Sequence, residues 1–101
     1  MIKITQKCIG YDNADRQKFN SNTIASGLQM TFENGNTISI QFGFGNYCDN
    51  RHEGKESCKD AEIAIWNKEG VWHDFENDQV KGYCTTDEVA LWINFAANTN
   101  F

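Results

Sequence analysis

Two apolar stretches on either side of Asn34-Gly35 constrain this chain more than any other feature of its sequence. Apolar side chains alternate with polar ones before and after these residues, a pattern that predicts the two strands of a β-hairpin. A two-residue turn at Asn34-Gly35 would place the two apolar sets on opposite faces of the sheet. A three-residue loop over residues 33–35, with Gly35 left-handed beside a bulge, pairs Met30 with Ile38 instead. We predict this second register, because it leaves one face of the hairpin continuously apolar.

Three other segments are assigned from their patterns. The alternating, β-branched start of the chain predicts a strand over residues 2–9, whereas the polar and turn-rich residues 10–27 predict a long loop. A second hairpin is predicted over residues 61–76, with a turn of about three or four residues. In that hairpin Trp66 should lie opposite Trp72 on one face of the sheet. The other face should hold Ile63, Ile65, His73 and Phe75.

A helix is predicted after the second hairpin. Thr85 and Glu88 have the spacing of a capping box, in which the threonine is the N-cap residue and the glutamate binds back to it. The helix should run over residues 86–97, and its apolar face should be formed by Val89, Trp92, Ile93 and Ala96 and widened by Leu91 and Phe95. We therefore predict an α+β fold, with an antiparallel β-sheet of two hairpins and an N-terminal strand packed by one C-terminal helix. A length of 101 residues fits a single domain, 1–101.

Composition excludes several classes of protein. With 40% hydrophobic and 13% aromatic residues, the chain has the composition of a globular domain rather than of a disordered tail. No apolar run is long enough to cross a bilayer, and the first residues do not have the pattern of a secretory signal. We therefore expect a cytoplasmic protein that has no membrane partner.

The net charge of −5 is concentrated in residues 61–101, which carry seven acidic residues and two lysines. This acidity disfavours direct binding to nucleic acid, which requires clustered basic residues. It favours a partner protein with a basic groove, although acidity that only keeps a small protein in solution is the simpler alternative. The candidate contacts on this surface are Glu69, Asp74, Glu76 and Asp78.

Residues 43–60 contain the other candidate site. Gly43 and Gly45 would let main-chain amides approach a ligand closely. Nearby side chains would add hydrogen bonds and one contact to an anion. These candidate residues are Asn46, Tyr47, Asn50, Arg51 and His52. The fuller dinucleotide-binding and P-loop motifs are missing, so an ordinary polar loop after a strand is the alternative.

The four cysteines and two histidines do not form a recognisable metal or catalytic motif. Because no Cys-x-x-Cys pair occurs, we expect no metal ion and no cofactor, and a Cys/His metal or thiol site in the loop is the weaker alternative. Thiols in the cytoplasm should be reduced, and Cys8 and Cys84 fit small apolar core residues. Under oxidising conditions a disulfide between Cys48 and Cys58 would close the loop. No nucleophile elbow or oxyanion hole is recognisable, so we expect no catalytic residue and no enzyme.

The chain resembles small proteins encoded by bacteriophages and related mobile elements. The resemblance is carried by the segments NGNTISIQFGFGNYCDNR, DAEIAIW and VKGYCTTDEVALWI, within about residues 28–95. The residues that match its central motif are Gly43, Gly45, Asn46, Tyr47, Cys48, Asn50 and Arg51. The resemblance implies a protein that acts in the host cytoplasm, as an inhibitor or decoy of a host defence or nucleic-acid enzyme.

Two functional hypotheses follow. The first is non-enzymatic binding of a host protein through the acidic surface and the 43–58 loop. The alternative is a small-molecule binder, such as a sponge for a nucleotide signal, in which Arg51 and the Gly43–His52 loop hold an anionic ligand. An exposed hairpin edge could in addition pair two copies as a homodimer.

Overall fold

The computed structural model of the chain describes residues 2–8, 25–43, 45–52 and 57–101. Their strands are β1 (Lys3–Cys8), β2 (Ala25–Thr31), β3 (Thr37–Gln41), β4 (Asp60–Trp66) and β5 (Lys81–Thr85), and their helix is the C-terminal helix (Thr86–Asn98). The strands form one antiparallel sheet in the order β1-β2-β3-β4-β5. The α+β prediction is confirmed, because this sheet packs against the helix.

The predicted N-terminal strand is confirmed as β1, whereas the predicted loop over residues 10–27 is wrong at its end. Residues 25–27 belong to β2. Gly27 fits between the neighbouring strands because it has no Cβ, an atom that would lie 1.8 Å from the carbonyl oxygen of Ile40. Residues 10–24 lie outside the described residues.

The first hairpin has the predicted register, in which Met30 pairs with Ile38. Its turn is closed by a hydrogen bond from the N–H of Phe32 to the carbonyl oxygen of Asn36 at 2.8 Å. Gly35 has a φ of 89° in this turn, a left-handed conformation that glycine adopts without steric cost. The bulged loop therefore sets the register that keeps the apolar side chains on one face.

The core lies between that face of the sheet and the helix. Ile38 and Ile65 pair across β3 and β4, and both side chains are fully buried. Ala96 of the helix is also fully buried and belongs to the same cluster. Each buried isoleucine stabilises the fold by about 1.5–3 kcal/mol relative to an exposed one.

The C-terminal helix begins as predicted. The Thr85 hydroxyl accepts a hydrogen bond from the N–H of Glu88 (3.3 Å), and the Glu88 carboxylate accepts one from the N–H of Thr85 (2.9 Å). The helix packs against the core through Val89, Trp92, Ile93 and Phe95 in addition to its buried alanine. Leu91 is 69% exposed, so the prediction that it widens the apolar face is wrong. It lies about 200° around the helix from Val89, on the opposite side.

The second hairpin forms, but its return strand is shorter than predicted. Trp66 and Trp72 form an isolated bridge, and their rings stack with centroids 4.9 Å apart. Residues 74–80 then leave the sheet, and the chain rejoins β4 as β5, where Cys84 pairs with Ala61. We call residues 74–80 the acidic excursion, because they carry Asp74, Glu76 and Asp78.

Candidate functional site

The described residues of the predicted loop site, 43 and 45–52, are joined by hydrogen bonds within the site. The N–H of Gly45 donates to the carbonyl oxygen of Arg51 (2.9 Å), and the N–H of Asn46 donates to that of Gly43 (3.1 Å). The N–H of Gly43 donates to the side-chain oxygen of Asn46 (3.0 Å). The two glycine amides that were expected to approach a ligand are therefore engaged inside the loop.

The two asparagines of this site also bind groups of the protein itself. Asn50 is buried, and its side-chain amide donates to the carbonyl oxygens of Phe42 (3.2 Å) and Ser57 (2.7 Å). Asn46 donates through Nδ2 to the carboxylate of Glu62 on β4 (3.2 Å). Asn50 therefore ties together the two ends of the loop, and Asn46 ties the loop to the sheet.

Arg51 and Tyr47 form the outward part of the loop. The guanidinium carbon of Arg51 lies 4.7 Å from the centre of the Tyr47 ring, which is a cation–π contact. Tyr47 is 43% exposed, and Arg51 and His52 are exposed as well. The positive charge of Arg51 is thus within reach of a dissolved anion.

A bulge in β5 fixes the loop against the sheet. The register of β4 and β5 shifts between Ala61 and Ile63, and Tyr83 opposite them has a φ of 54°. The N–H of Tyr83 donates to the carbonyl oxygen of Tyr47 (2.9 Å). A Cβ on Gly82 would lie 2.7 Å from the Cβ of Tyr47, so only glycine permits this approach. A glycine inside a strand often marks a bulge, and this is the signal that could have predicted it.

The acidic excursion borders a groove of about 480 Å³, which we call the acidic groove. Its lining combines carboxylates, aromatic rings and part of β5, and consists of His73, Asp74, Phe75, Glu76, Asp78, Val80, Lys81, Gly82 and Trp92. Three of the four predicted acidic contacts therefore come together here. The fourth, Glu69, lies in the turn after β4, where its N–H donates to the side chain of Asn67, and it is not part of the lining.

The excursion is folded by its own hydrogen bonds. The N–H of Phe75 donates to the carbonyl oxygen of Asp78 (2.7 Å), and the N–H of Asp78 donates back (3.2 Å). Between them Glu76 and Asn77 have φ values of 55° and 74°, as a type I′ turn requires. The carboxylate of Asp74 accepts a hydrogen bond from the N–H of Asn77. Local bonds therefore fix the main chain of the turn and engage the carboxylates of Asp74 and Asp78.

Aromatic rings form one wall of the acidic groove. The His73 ring lies 4.7 Å from Phe75 and 4.8 Å from Phe95, centroid to centroid, and 5.7 Å from both Trp92 and Phe101. Phe75 and Trp92 meet edge to face at 4.9 Å. The sequence pattern predicts most of these residues in the core. The structure places His73, Phe75 and Trp92 beside the carboxylates of the acidic groove as well.

The cysteines have different environments. Burial raises the pKa of the Cys48 thiol to about 11, and the neighbouring Cys58 and Asp60 add to this rise, while a main-chain hydrogen bond from Asn50 opposes it. Burial also raises the pKa of Cys84, whose predicted place in the core is confirmed. A thiol of raised pKa is neutral at pH 7 and is a weak nucleophile. The prediction for Cys8 concerns a side chain outside the described residues.

No family model, curated protein or solved structure matches this chain. The resemblance to phage proteins therefore stays a prediction. In the part of the chain that the structure describes, no helix is both long and apolar enough to cross a membrane.

Proposed function

We propose that this chain is a non-enzymatic binding protein that recognises a basic segment of a partner protein through the acidic groove. The observation that carries the proposal is the position of three exposed carboxylates, those of Asp74, Glu76 and Asp78, beside a wall of aromatic rings. Charge complementarity gives an interface its specificity and rate of association, and aromatic anchors supply much of its affinity.

The electrostatic part of the proposal rests on the negative charge of these three carboxylates. None of the three carboxylates forms an ion pair with a cation among the described residues. The lining of the groove includes one lysine, Lys81, and residues 61–101 as a whole carry seven acidic residues against two lysines. The resulting field attracts a basic partner and weakens as salt is added.

The aromatic wall indicates which basic side chain the partner inserts into the acidic groove. A guanidinium stacks on the face of an aromatic ring and binds a carboxylate through two parallel hydrogen bonds. The acidic groove places Trp92 and Phe75 within the same lining as the three carboxylates. We therefore infer that the partner inserts an arginine side chain into the groove.

The class of partner follows from the predicted relation to phage proteins. Host defence and nucleic-acid enzymes hold phosphate backbones with clustered lysine and arginine residues. An acidic protein that occupies such a surface acts as an inhibitor or decoy in the host cytoplasm. This role requires a docking surface and no catalytic group on this chain.

Capture of the partner from a lysate of the bacterial host tests the proposal. The variant Glu76→Gln/Asp78→Asn removes two charges from the groove, and the asparagine keeps an oxygen for the hydrogen bond that Asp78 accepts from the N–H of Val80. We expect tagged wild-type protein to retain a specific polypeptide and this variant to retain about tenfold less, because each exposed charge pair contributes up to about 1 kcal/mol. Native mass spectrometry then identifies the polypeptide and the stoichiometry.

The matched control is Glu33→Gln/Asp87→Asn, which removes the same number of charges at exposed positions outside the groove. Capture by the control should equal that of the wild type. Raising the salt from about 0.1 M to about 1 M should weaken capture, since the Debye length falls from about 10 to 3 Å. Equal capture by the groove variant and the wild type would contradict the proposal.

The alternative function, binding of a small anionic ligand by the Gly43–His52 loop, is favoured by one observation. Arg51 is exposed and is held above the ring of Tyr47. The engaged amides of Gly43 and Gly45 argue against an anion cradle of main-chain groups. An ion of a few hundred daltons retained by the purified protein and lost in Arg51→Ala would favour this alternative over the acidic groove.

A further inference from the structure

Two thiols and one carboxylate meet where the loop joins β4. The sulfur atoms of Cys48 and Cys58 and a carboxylate oxygen of Asp60 all lie within 4.8 Å of one another. Cys48 is 1% exposed, whereas Cys58 and Asp60 are half-buried. The proposed binding role of the acidic groove uses none of these three residues.

Hydrogen bonds arrange this cluster in advance. The N–H of Asp49, next to Cys48, donates to the Asp60 carboxylate at 2.7 Å. The Cys58 thiol donates to the same carboxylate oxygen at 3.4 Å. The buried Asn50 amide binds the carbonyl oxygen of Ser57, the residue before Cys58. Loop and strand are thus held together around the three donor atoms.

The donor set suits a particular class of ion. Thiolate ligands select soft or borderline cations, and zinc accepts carboxylate oxygen in the same coordination sphere. Two thiolates on a tetrahedral zinc ion lie roughly 3.8 Å apart, because each zinc–sulfur bond is about 2.3 Å. The sulfur atoms of Cys48 and Cys58 lie within 4.8 Å of each other. They therefore need to approach by about 1 Å or less to bind one zinc ion, which side-chain rotation can supply.

Charge balance also favours a cation at this place. With both thiols deprotonated the cluster would carry three negative charges, which a divalent ion reduces to one. The neighbouring cation Lys59 lies 4.0 Å from the carboxylate of Asp49 and is largely exposed. A pocket of about 320 Å³ reaches the cluster, and Cys58 and Asp60 are among its lining residues.

We propose that Cys48, Cys58 and Asp60 bind one thiophilic divalent cation of the zinc class. The three protein donors leave the fourth position of a tetrahedral ion to solvent or to another ligand. Binding releases the two thiol protons to solvent and changes no oxidation state. The ion clamps Cys48 and Cys58 to the first residue of β4.

Cobalt(II) is the probe for this site, because thiolate ligands give it charge-transfer absorption in the near ultraviolet and tetrahedral coordination gives it intense visible bands. The full chain is reduced, freed of metal and titrated with Co²⁺ without oxygen, and Zn²⁺ is then added. We expect one Co²⁺ per chain with both sets of bands, and their loss when Zn²⁺ displaces the cobalt. Native mass spectrometry should show one ion per chain.

Variants assign the ligands. Cys58→Ser and Asp60→Asn should each weaken cobalt binding by about tenfold or more, since even the loss of an outer hydrogen-bond partner costs a metal site about 10–100-fold. Asp49→Asn is the control carboxylate and Cys84→Ala is the control thiol, and both should bind as the wild type does. Near-ultraviolet circular dichroism of the three tryptophans verifies that each variant is folded.

Several outcomes would overturn this assignment. One is a wild-type chain without thiolate–cobalt bands, and another is a spectrum that Cys58→Ser and Asp60→Asn leave unchanged. A third is a reduced chain that takes up no cobalt, although in air it loses two hydrogen masses as Cys48 and Cys58 form a disulfide. That third result would identify a redox-active dithiol instead of a metal site.

Discussion

The side-chain amide of Asn36 donates a hydrogen bond to the main-chain carbonyl oxygen of Ala96 at 3.0 Å. It also donates to the carbonyl oxygen of Thr99 at 2.6 Å, and the amide of Asn34 reaches the same two acceptors. The last four carbonyl groups of a helix have no partner within the helix. The turn of the first hairpin therefore satisfies the end of the C-terminal helix.

Asn36→Ala should lower the free energy of unfolding by about 1–2 kcal/mol, because the carbonyl oxygens of Ala96 and Thr99 each lose one hydrogen bond and keep the one from Asn34. Asn36 is 3% exposed, so water cannot readily replace its amide. Denaturant unfolding measures the change. Asn98→Ala is the control, since its exposed amide binds Asn94 within the helix, and it should change stability by less than about 0.5 kcal/mol. Equal losses for the two variants would show that the hairpin does not support the helix end.

The capping box should make stability depend on pH. Hydrogen bonds from Thr85, first that of its main-chain N–H, lower the pKa of Glu88 below its ordinary value of 4.5. The stabilising effect of the ionised carboxylate is therefore present above this value and is lost as the pH falls through the folded-state pKa. The stability difference between the wild type and Glu88→Gln should shrink from about pH 7 to about pH 3. A difference that stays constant over this range would exclude a capping effect of the charge.

The hydroxyl side of the same capping box can be tested separately. Thr85→Ala removes the acceptor of the Glu88 N–H and should cost about 1 kcal/mol of stability. Thr85→Ser keeps a hydroxyl and should restore most of the loss. Thermal unfolding of the three chains is the measurement, and failure of serine to rescue would indicate that the threonine methyl group, rather than the hydroxyl, matters.

The turn of the acidic excursion contains strain that a substitution can relieve. Glu76 has a φ of 55°, and a left-handed conformation costs an ordinary residue about 1–2 kcal/mol. Asparagine tolerates this conformation, so Glu76→Asn should raise the unfolding free energy by up to about 1 kcal/mol. Asn77→Ala, at a φ of 74°, should lower it. Partner capture by Glu76→Asn should nonetheless decrease, because the variant loses a carboxylate.

Arg51→Ala separates the two candidate functions. If the acidic groove binds the partner, this variant should change partner affinity by less than about twofold, whereas Glu76→Gln/Asp78→Asn weakens it by about tenfold. Titration calorimetry with the captured partner gives both affinities. The opposite ranking of the two variants would favour the loop around Arg51 as the binding site.

Features that depend on neighbours in the sequence could be predicted. The pairing of Met30 with Ile38 follows from alternation and a glycine turn, and the Thr85 cap follows from a three-residue spacing. For the hairpin, only one register keeps the apolar side chains on one face of the sheet. For the capping box, the threonine and glutamate side chains satisfy main-chain amides at the start of the helix. Local rules of this kind also placed Trp66 opposite Trp72.

Features that depend on distant contacts could not be predicted. The sequence does not indicate that Asn36 will reach Ala96, because 60 positions separate them. The meeting of Asp60 with Cys48 depends on the path of the loop, although the two cysteines alone suggested a link. The prediction for Leu91 is wrong because it used the apolar character of this residue and not its angular position around the helix axis.

The acidic excursion leaves the sheet after Trp72 and returns to it at Lys81, and both points lie along the same side of β4. Its turn is closed by Phe75 and Asp78, which bond to each other rather than to the sheet. An insertion of this kind can change in length and charge over evolution without disturbing the pairing of the strands beside it. A lineage that must follow a changing partner could therefore replace residues 74–80 while the rest of the fold is inherited intact.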